Sequence, residues 1–594
     1  MKKIIFVLVA SLCALQALAI PAKPGRLVFT QPDGSTIGVY RHGDEWGHWL
    51  TDDRGRVITK DSDGFFREAG VSVAQASAAA KIRRQAVQRA RRAPAGKVAI
   101  GQKHFLVILV AFSDCAFSAS SDPKTAFTNL LNQQGYSVNG GTGSARDFYY
   151  DNSHGIFEPI FDVYGPVTLS QNKAYYGAND DDGNDLRPEQ AVIDGCRALD
   201  SQINFADYDN DGDGEVDLVF MYYAGYGEAD SDDEDSIWPH QWEISSADKS
   251  LSLDGKKIDR YACTNEVEGY GENEGKLCGI GTACHEFGHA MGLPDFYDID
   301  YTDNGQAAAL FTFSTMDSGA YNNNGRTPPY FNMIERIMLG WLDESALLTF
   351  EKSGPVTLSG VNNNIAYKTP TDVDGEFFVY ECRTSEGWDR YLDAHGLIVY
   401  HVDRSDRTVN IGTRNVKASE LWANWQNYNS INENGKHPCF YIVPAADQGN
   451  LLFGHFLYQG YYYFDSDEAD KIPFPGSSSV STYAPLSWNK VTGDITLSGI
   501  KYSGNTASFT VSVPTAGLDY AVIANPGKGK YKAGDSFSLE LENSEGVQNV
   551  SWKFDGAGVN TRLLTLSAGD HTIDALVTGA SGCVYTVTLE ITVD

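Results

Sequence analysis

Eleven residues, His285 to Asp295, constrain this chain more than any other stretch; they read HEFGHAMGLPD. Residues four apart on a helix share one face, one turn apart. His285 and His289 can therefore direct two imidazoles at one zinc ion. Glu286 follows the first histidine and can reach a zinc-activated water as general base. Gly292, three residues after the second histidine, lets the helix stop and the chain turn back. Pro294 discourages the helix from resuming. That turn can bring Asp295 in as a third ligand, and three protein ligands plus a water is the usual catalytic zinc arrangement.

A bare H-E-x-x-H occurs by chance in unrelated proteins, so the extension matters. A second feature adds to it: FSTMDSG, residues 313–319. A methionine in a tight turn beneath the metal, here Met316, is the Met-turn of metzincin proteases. The third ligand is contested. Asp295 holds the metzincin position, Asp298 competes through a different turn, and Glu335 on a later helix would serve in a gluzincin-type enzyme. Gly292 and Met316 favour Asp295. Tyr321, five residues past Met316, is the candidate oxyanion stabiliser. Some metzincins carry a tyrosine two residues past the methionine, and that position is Ser318 here. His240, in IWPHQW, reads as a core or rim histidine. Cys284 adjoins His285 but points about 100° away on a helix, so it reads as packing or a disulfide partner.

With 594 residues the chain exceeds what one hydrophobic core serves. Residues 1–19 read as a secretory signal: Lys2 and Lys3, an apolar run from Ile4 to Leu15, then Ala17-Leu18-Ala19 as a small-x-small cleavage site. No second apolar run is long enough for a transmembrane helix. The protein is expected to be secreted to the extracellular space, the periplasm or the cell surface. Residues 20–97 form a β-rich propeptide ending in a basic, cleavable linker at 81–97. Between Lys81 and Arg92 that linker holds six basic residues and no acidic one. The catalytic domain spans 98–347. It opens with HFLVILVAFSD (104–114), a run apolar enough for a strand buried on both faces. It closes with PPYFNMIERIMLGWL (328–342), read as an amphipathic helix with proline at its start. A β-rich domain follows at 348–514. Residues 515–594 read as an immunoglobulin-like β-sandwich with Trp552 as its buried tryptophan. The fold class is thus multidomain α+β, with a zincin-like catalytic domain followed by β-sandwich domains.

Net charge is −32 overall, yet residues 1–97 carry +8 and the remainder −40. So acidic a surface repels phosphates and argues against nucleic acid as a partner. FADYDNDGDGEVDLVF (205–220) spaces Asp209, Asp211, Asp213 and Asp217 among glycines and small residues. Carboxylates at this spacing suit a hard cation with six to eight oxygen ligands, and a structural calcium is the reading. NDDDGND (179–185) is a less regular second cluster. The eight cysteines beyond Cys13 permit disulfides in an exported protein without fixing their pairing.

Several segments in order resemble the immune inhibitor A-like family of secreted bacterial zinc metallopeptidases. They are GSARDFYYDNSHGIFEP (143–159), DVYGPVTLS (162–170), YDNDGDGEVDLVFMYYAGYGEA (208–229), IWPHQW (237–242), CHEFGHAMGLPDFYD (284–298), FSTMDSG (313–319), MLGWL (338–342) and GLIVYHVD (396–403). The resemblance implies a zinc endopeptidase made as a secreted zymogen. By position, His285, His289 and Asp295 would hold zinc and Glu286 would be the base. The propeptide has no cysteine, so a thiol switch is unavailable; Asp44, His48 and Asp52 are candidates for covering the zinc. The expected partners are protein or peptide substrates, with cell-surface or glycan ligands for the C-terminal β domains. Two rival readings remain: a non-catalytic surface adhesin on a zincin scaffold, and a C-terminal sandwich that is the functional end with the protease as accessory. An intact Glu286 counts against the first, because a structural zinc needs no base.

Overall fold

A continuous apolar strand organises the first half of the chain. Phe105 through Ala111 are all buried, and their side chains alternate between two cores. Phe105, Val107 and Leu109 join one core; Leu106, Ile108 and Val110 join the other. This is what period-two side-chain geometry gives a strand covered on both faces. The computed structural model describes residues 18–44, 47–77, 99–180, 184–231, 233–269, 273–299, 309–411, 414–447, 457–458, 461–462, 466–513, 522–525, 531–541, 544, 547–560, 563–579 and 584–594. The apolar run of the signal and the whole linker 81–97 lie outside the described residues, as do residues 181–183 of the second acidic cluster.

In chain order, β1 (Leu18–Ala19) precedes an antiparallel meander: β2 (Arg26–Thr30), β3 (Thr36–Asp44), β4 (Gly47–Asp52), β5 (Val57–Lys60) and β6 (Phe66–Glu68). Then come β7 (Gly101–Ala111), β8 (Phe157–Thr168), helix α1 (Pro188–Leu199), β9 (Val219–Tyr223), β10 (His240–Glu243), β11 (Arg260–Asn265) and helix α2 (Gly281–Met291). One six-stranded sheet runs β1-β10-β11-β9-β7-β8. β11, β9, β7 and β8 are parallel to one another. β10 is antiparallel to β11, and β1 is antiparallel to β10. Helix α1 packs into the core that holds Leu106 and Ile108. Helix α2 packs into the other, through Ala283, Cys284 and Phe287. Phe287 meets Phe105 edge to face with ring centroids 4.7 Å apart.

The helix expected over 328–342 is short: α3 spans Met333–Met338. Asn332 caps it, accepting from the Glu335 N–H, while the Glu335 carboxylate accepts from the Asn332 N–H. That reciprocal cap starts the helix after the prolines rather than at them.

The chain forms two compact units, one of residues 1–348, 358–480 and 501–507, the other of 349–357, 481–500 and 508–594. In the first, strands Ala366–Pro370, Glu376–Arg383, Gly396–Asp403 and Phe440–Val443 pair antiparallel in succession. Their residues Val379, Tyr400 and Phe440 share one continuous core with Phe287, Phe296 and Trp341. In the second, three- and four-stranded sheets contribute Leu539, Leu564, Trp552, Ile573 and Ile591 to a core of their own. The strands expected around SFSLELE, NVSWKFD and VYTVTLEITV form at Ser536–Leu541, Val547–Phe554 and Val584–Val593. The protein is thus a mixed α/β chain built on several sheets. No helix among the described residues is long and apolar enough to cross a membrane.

Candidate metal centre

Helix α2 is buried almost along its whole length. It ends at Gly292, whose φ of 117° is left-handed and whose N–H reaches the carbonyls of Gly288 and His289. Only glycine adopts that backbone cheaply. The turn it makes returns Asp295 to the two histidines. His285 Nε2 and His289 Nε2 stand 3.0 Å apart, and Asp295 Oδ1 lies 3.2 Å from the first and 3.3 Å from the second. All three residues are buried. Among the described residues, these three and the set Asp209, Asp211, Asp213 are the groups of His, Cys, Asp or Glu that converge closely enough for one ion. Asp298 and Glu335 do not join the first set. Asp298 is buried, and Glu335 accepts from the Ser314 hydroxyl, 2.5 Å away, and from the Asn332 N–H.

Does the trio suit zinc? Each imidazole meets a carbonyl with Nδ1: His285 with Thr315 O at 2.8 Å, His289 with Leu293 O at 2.9 Å. A carbonyl only accepts, so Nδ1 carries the proton and Nε2 offers its lone pair. Two lone pairs and a carboxylate oxygen therefore face one another in a buried site, and Asp295 Oδ1 has no hydrogen-bond donor. That arrangement is repulsive unless a cation sits among them. Tetrahedral zinc with bonds of about 2.0 Å would space its ligand atoms about 3.3 Å apart, close to what is found. The residues fit. Burial pushes His289 down to about 4, against the pull of Asp295, so its imidazole is neutral and ready to ligate. Burial would raise the Asp295 carboxyl, and positive charge at the two imidazole nitrogens is what draws it below the usual carboxylate range.

Met316 is fully buried beneath α2. A side-chain carbon built on Gly288 would meet its sulfur at 2.6 Å, so methionine and helix touch only because residue 288 has no side chain. Asp317 fastens the same turn by accepting from the N–H groups of Leu310, Phe311 and Ser318. Burial raises its pKa to about 6. Glu286, also buried, accepts at Oε1 from the Ile20 N–H at 3.1 Å. The Tyr321 hydroxyl donates to the Pro21 carbonyl at 2.8 Å, and burial drives its phenol pKa far up. His240 is a core histidine, held between Trp238 O and Tyr261 OH. Cys284 is buried and free; the other cysteines among the described residues are free too, all buried but the half-buried Cys115 and Cys278, and Cys583 lies outside them.

The acidic loop is only partly gathered. Asp209 accepts from the N–H groups of Gly212, Asp213 and Gly214. The Lys256 ammonium stands 2.6 Å from its Oδ2. Asp217 turns instead to Asn210, accepting from both its N–H and its amide. Three carboxylates converge and the fourth does not.

Residue reasoning along the sequence missed Asn429. It contacts Asp295 from 134 positions downstream, in a polar stretch where no local pattern singles it out.

Residues 101–336 match the family described as immune inhibitor A peptidase M6, catalytic domain. The resemblance drawn from the motifs is therefore upheld, and the matched span takes in β7, the acidic loop, α2 and the Met316 turn. The pre-pro-metalloprotease PrtV of Vibrio cholerae serotype O1 is 26% identical over 226 residues, 34% of this chain and 24% of PrtV. The immune inhibitor A of Bacillus thuringiensis subsp. alesti is 26% identical over 211 residues, 32% of this chain and 30% of that protein. The chain thus spans less than a third of the length of these curated relatives. Among solved structures, the catalytically inactive OgpA from Akkermansia muciniphila, in complex with an O-glycopeptide, aligns over 84% of this chain and 98% of that one. Its identity is 9% and its TM-score 0.20, an agreement too low to carry an argument.

Proposed function

We propose that this chain, which carries a catalytic domain of the immune inhibitor A peptidase M6 family, is a zinc endopeptidase, exported as a zymogen, that hydrolyses peptide bonds of extracellular proteins. The observation that carries the reading is the convergence of His285 Nε2, His289 Nε2 and Asp295 Oδ1 within 3.3 Å in a buried site. Zinc held by these three would polarise the scissile carbonyl and acidify water for attack. The chain's own residues do the rest. Thr315 and Leu293 fix both imidazoles in the tautomer that ligates. Glu286 takes the proton from attacking water and delivers it to the departing amine. The fold around α2 would be zincin-like, with Met316 as its Met-turn. Asp209, Asp211 and Asp213 would bind a structural calcium if Lys256 yields its place. The proposed order of domains is signal, propeptide, catalytic domain, β-rich domain and terminal sandwich, the last holding the enzyme at its site of action.

The test is casein cleavage by the chain after trypsin treatment at the 81–97 linker, beside Glu286→Ala, with zinc content measured for both. Cleavage by the parent, zinc in both proteins and loss of activity in the variant is the expected outcome. Absence of zinc from both would overturn the ligand assignment. Zinc in both with no cleavage of casein or a peptide library would overturn the peptidase.

A further inference from the structure

The chain on both sides of the expected signal-cleavage site, Ala19–Ile20, lies against β10 and α2. Leu18 and Ala19 pair antiparallel with Gln241 and His240 of the edge strand β10. Ile20 is fully buried with Ala22, Ala229, Trp238 and Ala320. Three hydrogen bonds fix the backbone beyond it: Trp238 Nε1 to Ile20 O at 3.1 Å, Tyr321 OH to Pro21 O at 2.8 Å, and Lys23 N to Ala229 O at 3.2 Å. Lys23 pairs with Glu268, and the Ala22 N–H reaches Gly43 O in β3 at 2.9 Å. The segment from Ile20 onward is thus held by Trp238, Ala229 and Tyr321 and by the meander together.

The decisive contact is the Ile20 nitrogen, 3.1 Å from Glu286 Oε1. A general base that has taken a proton from water finishes by handing it to the departing amine. A nitrogen within hydrogen-bond reach of Glu286 therefore stands where the leaving nitrogen of a substrate would stand, and Ile20 supplies it. Hydrolysis of the Ala19–Ile20 bond adds water's hydroxyl to the Ala19 carbonyl. It leaves the Ile20 nitrogen as an amine, protonated at neutral pH.

We propose that the amino terminus created at Ile20 seats its ammonium on the Glu286 carboxylate and keeps the zymogen latent, as a retained mimic of the leaving-group half of a cleaved peptide. The site is accordingly a receptor for a free α-ammonium followed by a buried aliphatic side chain. Ile20 N already stands within reach of Glu286 Oε1, and an ammonium there binds a carboxylate more strongly than a peptide N–H does. None of the prodomain carboxylates has to reach the metal trio for this lock to work. Asp52 pairs with Arg56, and His48 with Glu228. The proposal rests on the role given to Glu286 above, so its test uses a readout that needs no turnover.

The full chain is exported with its own signal, its amino terminus read by mass spectrometry, and the folded protein pulsed with an amine-acetylating reagent. The expected result is a chain starting at Ile20 whose α-amine is acetylated about tenfold or more slowly than in urea, as for a group exposed only by local opening. Glu286→Gln should abolish that protection, and Ile20→Asp, which sets a charge among Ala22, Ala229, Trp238 and Ala320, should raise cleavage of a peptide by the uncut zymogen. If Glu286→Gln does not fold, the Ile20→Asp variant and the parent's labelling decide. A mature terminus other than residue 20, a parent α-amine labelled at the unfolded rate, or full latency in the Ile20→Asp variant of an otherwise active enzyme would overturn the lock. Should the linker-cut enzyme cleave nothing, the peptidase fails while slow labelling still upholds the Ile20–Glu286 pair.

Discussion

Asn429 grips Asp295 with both ends of its amide. Its Nδ2 donates to Asp295 Oδ2 at 2.6 Å, and its Oδ1 accepts from the Asp295 N–H at 2.9 Å. Asn429 itself sits in the left-handed region at φ 41°, which asparagine tolerates better than most residues. With Oδ2 engaged, Oδ1 is the oxygen turned to the two imidazoles. The third candidate ligand is therefore aimed by a residue outside the matched 101–336 segment.

Asn429→Ala should weaken zinc binding by about 10- to 100-fold, the usual cost of losing an outer partner of a metal ligand. Competition against a chromogenic chelator measures it directly. A merely structural role would lower thermal stability and leave the affinity of the folded protein unchanged. Asn429→Asp should be worse than alanine, because it sets a second carboxylate against Asp295.

Removing the metal should destabilise the protein. Without a cation, three electron-rich atoms face one another in a buried site. Dialysis against a chelator should lower the melting temperature, and zinc should restore it in a concentration-dependent way. With the acidic loop weakened by Asp211→Asn, calcium at the same concentration should not restore this loss. Equal melting curves with and without zinc would count against the ligand trio.

Gly288→Ala should destabilise by about 1–3 kcal/mol, the range for overpacking a tight core. The added carbon meets Met316 Sδ at 2.6 Å, and Met316 is itself fully buried. Met316→Ala in the same chain should recover part of the loss, because the two sites share one space. Chemical denaturation of the two single variants and the double variant reads the coupling; strict additivity would show that Gly288 and Met316 are not in contact.

What was legible in the sequence was local. The spacing of His285 and His289 and the glycine at 292 announce a helix face and its left-handed stop, because both depend on neighbours a turn away. The apolar run from Phe105 announces a doubly covered strand for the same reason. Other features depend on partners far along the chain. Asp217 lies in the same acidic run but turns to Asn210, while the Lys256 ammonium takes the Asp209 carboxylate. The start of α3 depends on a cap that Asn332 and Glu335 make together, and proline alone misplaces it. Tyr321, read as an oxyanion stabiliser, holds the Pro21 carbonyl in this state. Nothing near Ile20 in sequence points to Glu286, 266 residues away.

Calcium should stabilise the chain through the acidic loop if three converging carboxylates suffice. Lys256 now balances Asp209, so the ion must displace an ammonium. Lys256→Ala should therefore tighten calcium binding, and Asp211→Asn should weaken it. Isothermal titration of the zinc-loaded protein with calcium gives both; heat identical in the two variants and the parent would remove the loop from the list of calcium sites.

Glu335 should make stability fall as pH rises. Burial lifts its carboxyl to about 7 from an ordinary 4.5, against the hydrogen bonds from Ser314 and Asn332 and the charge of Arg383, with Glu381 pushing the same way as burial. A group whose pKa is higher folded than unfolded contributes stability fully below the unfolded value and loses it as pH climbs through the folded one. The window is thus pH 4.5 to 7, and at 1.36 kcal/mol per unit the loss is about 3 kcal/mol. Glu335→Gln cannot ionise, still accepts from the Asn332 N–H, and can donate to the Ser314 hydroxyl. Its melting temperature should change less than the parent's between pH 5 and about 8. Other buried acids, such as Asp317, affect both proteins alike, so the difference between the two curves isolates Glu335. Parallel curves would show that its proton is not held by the fold.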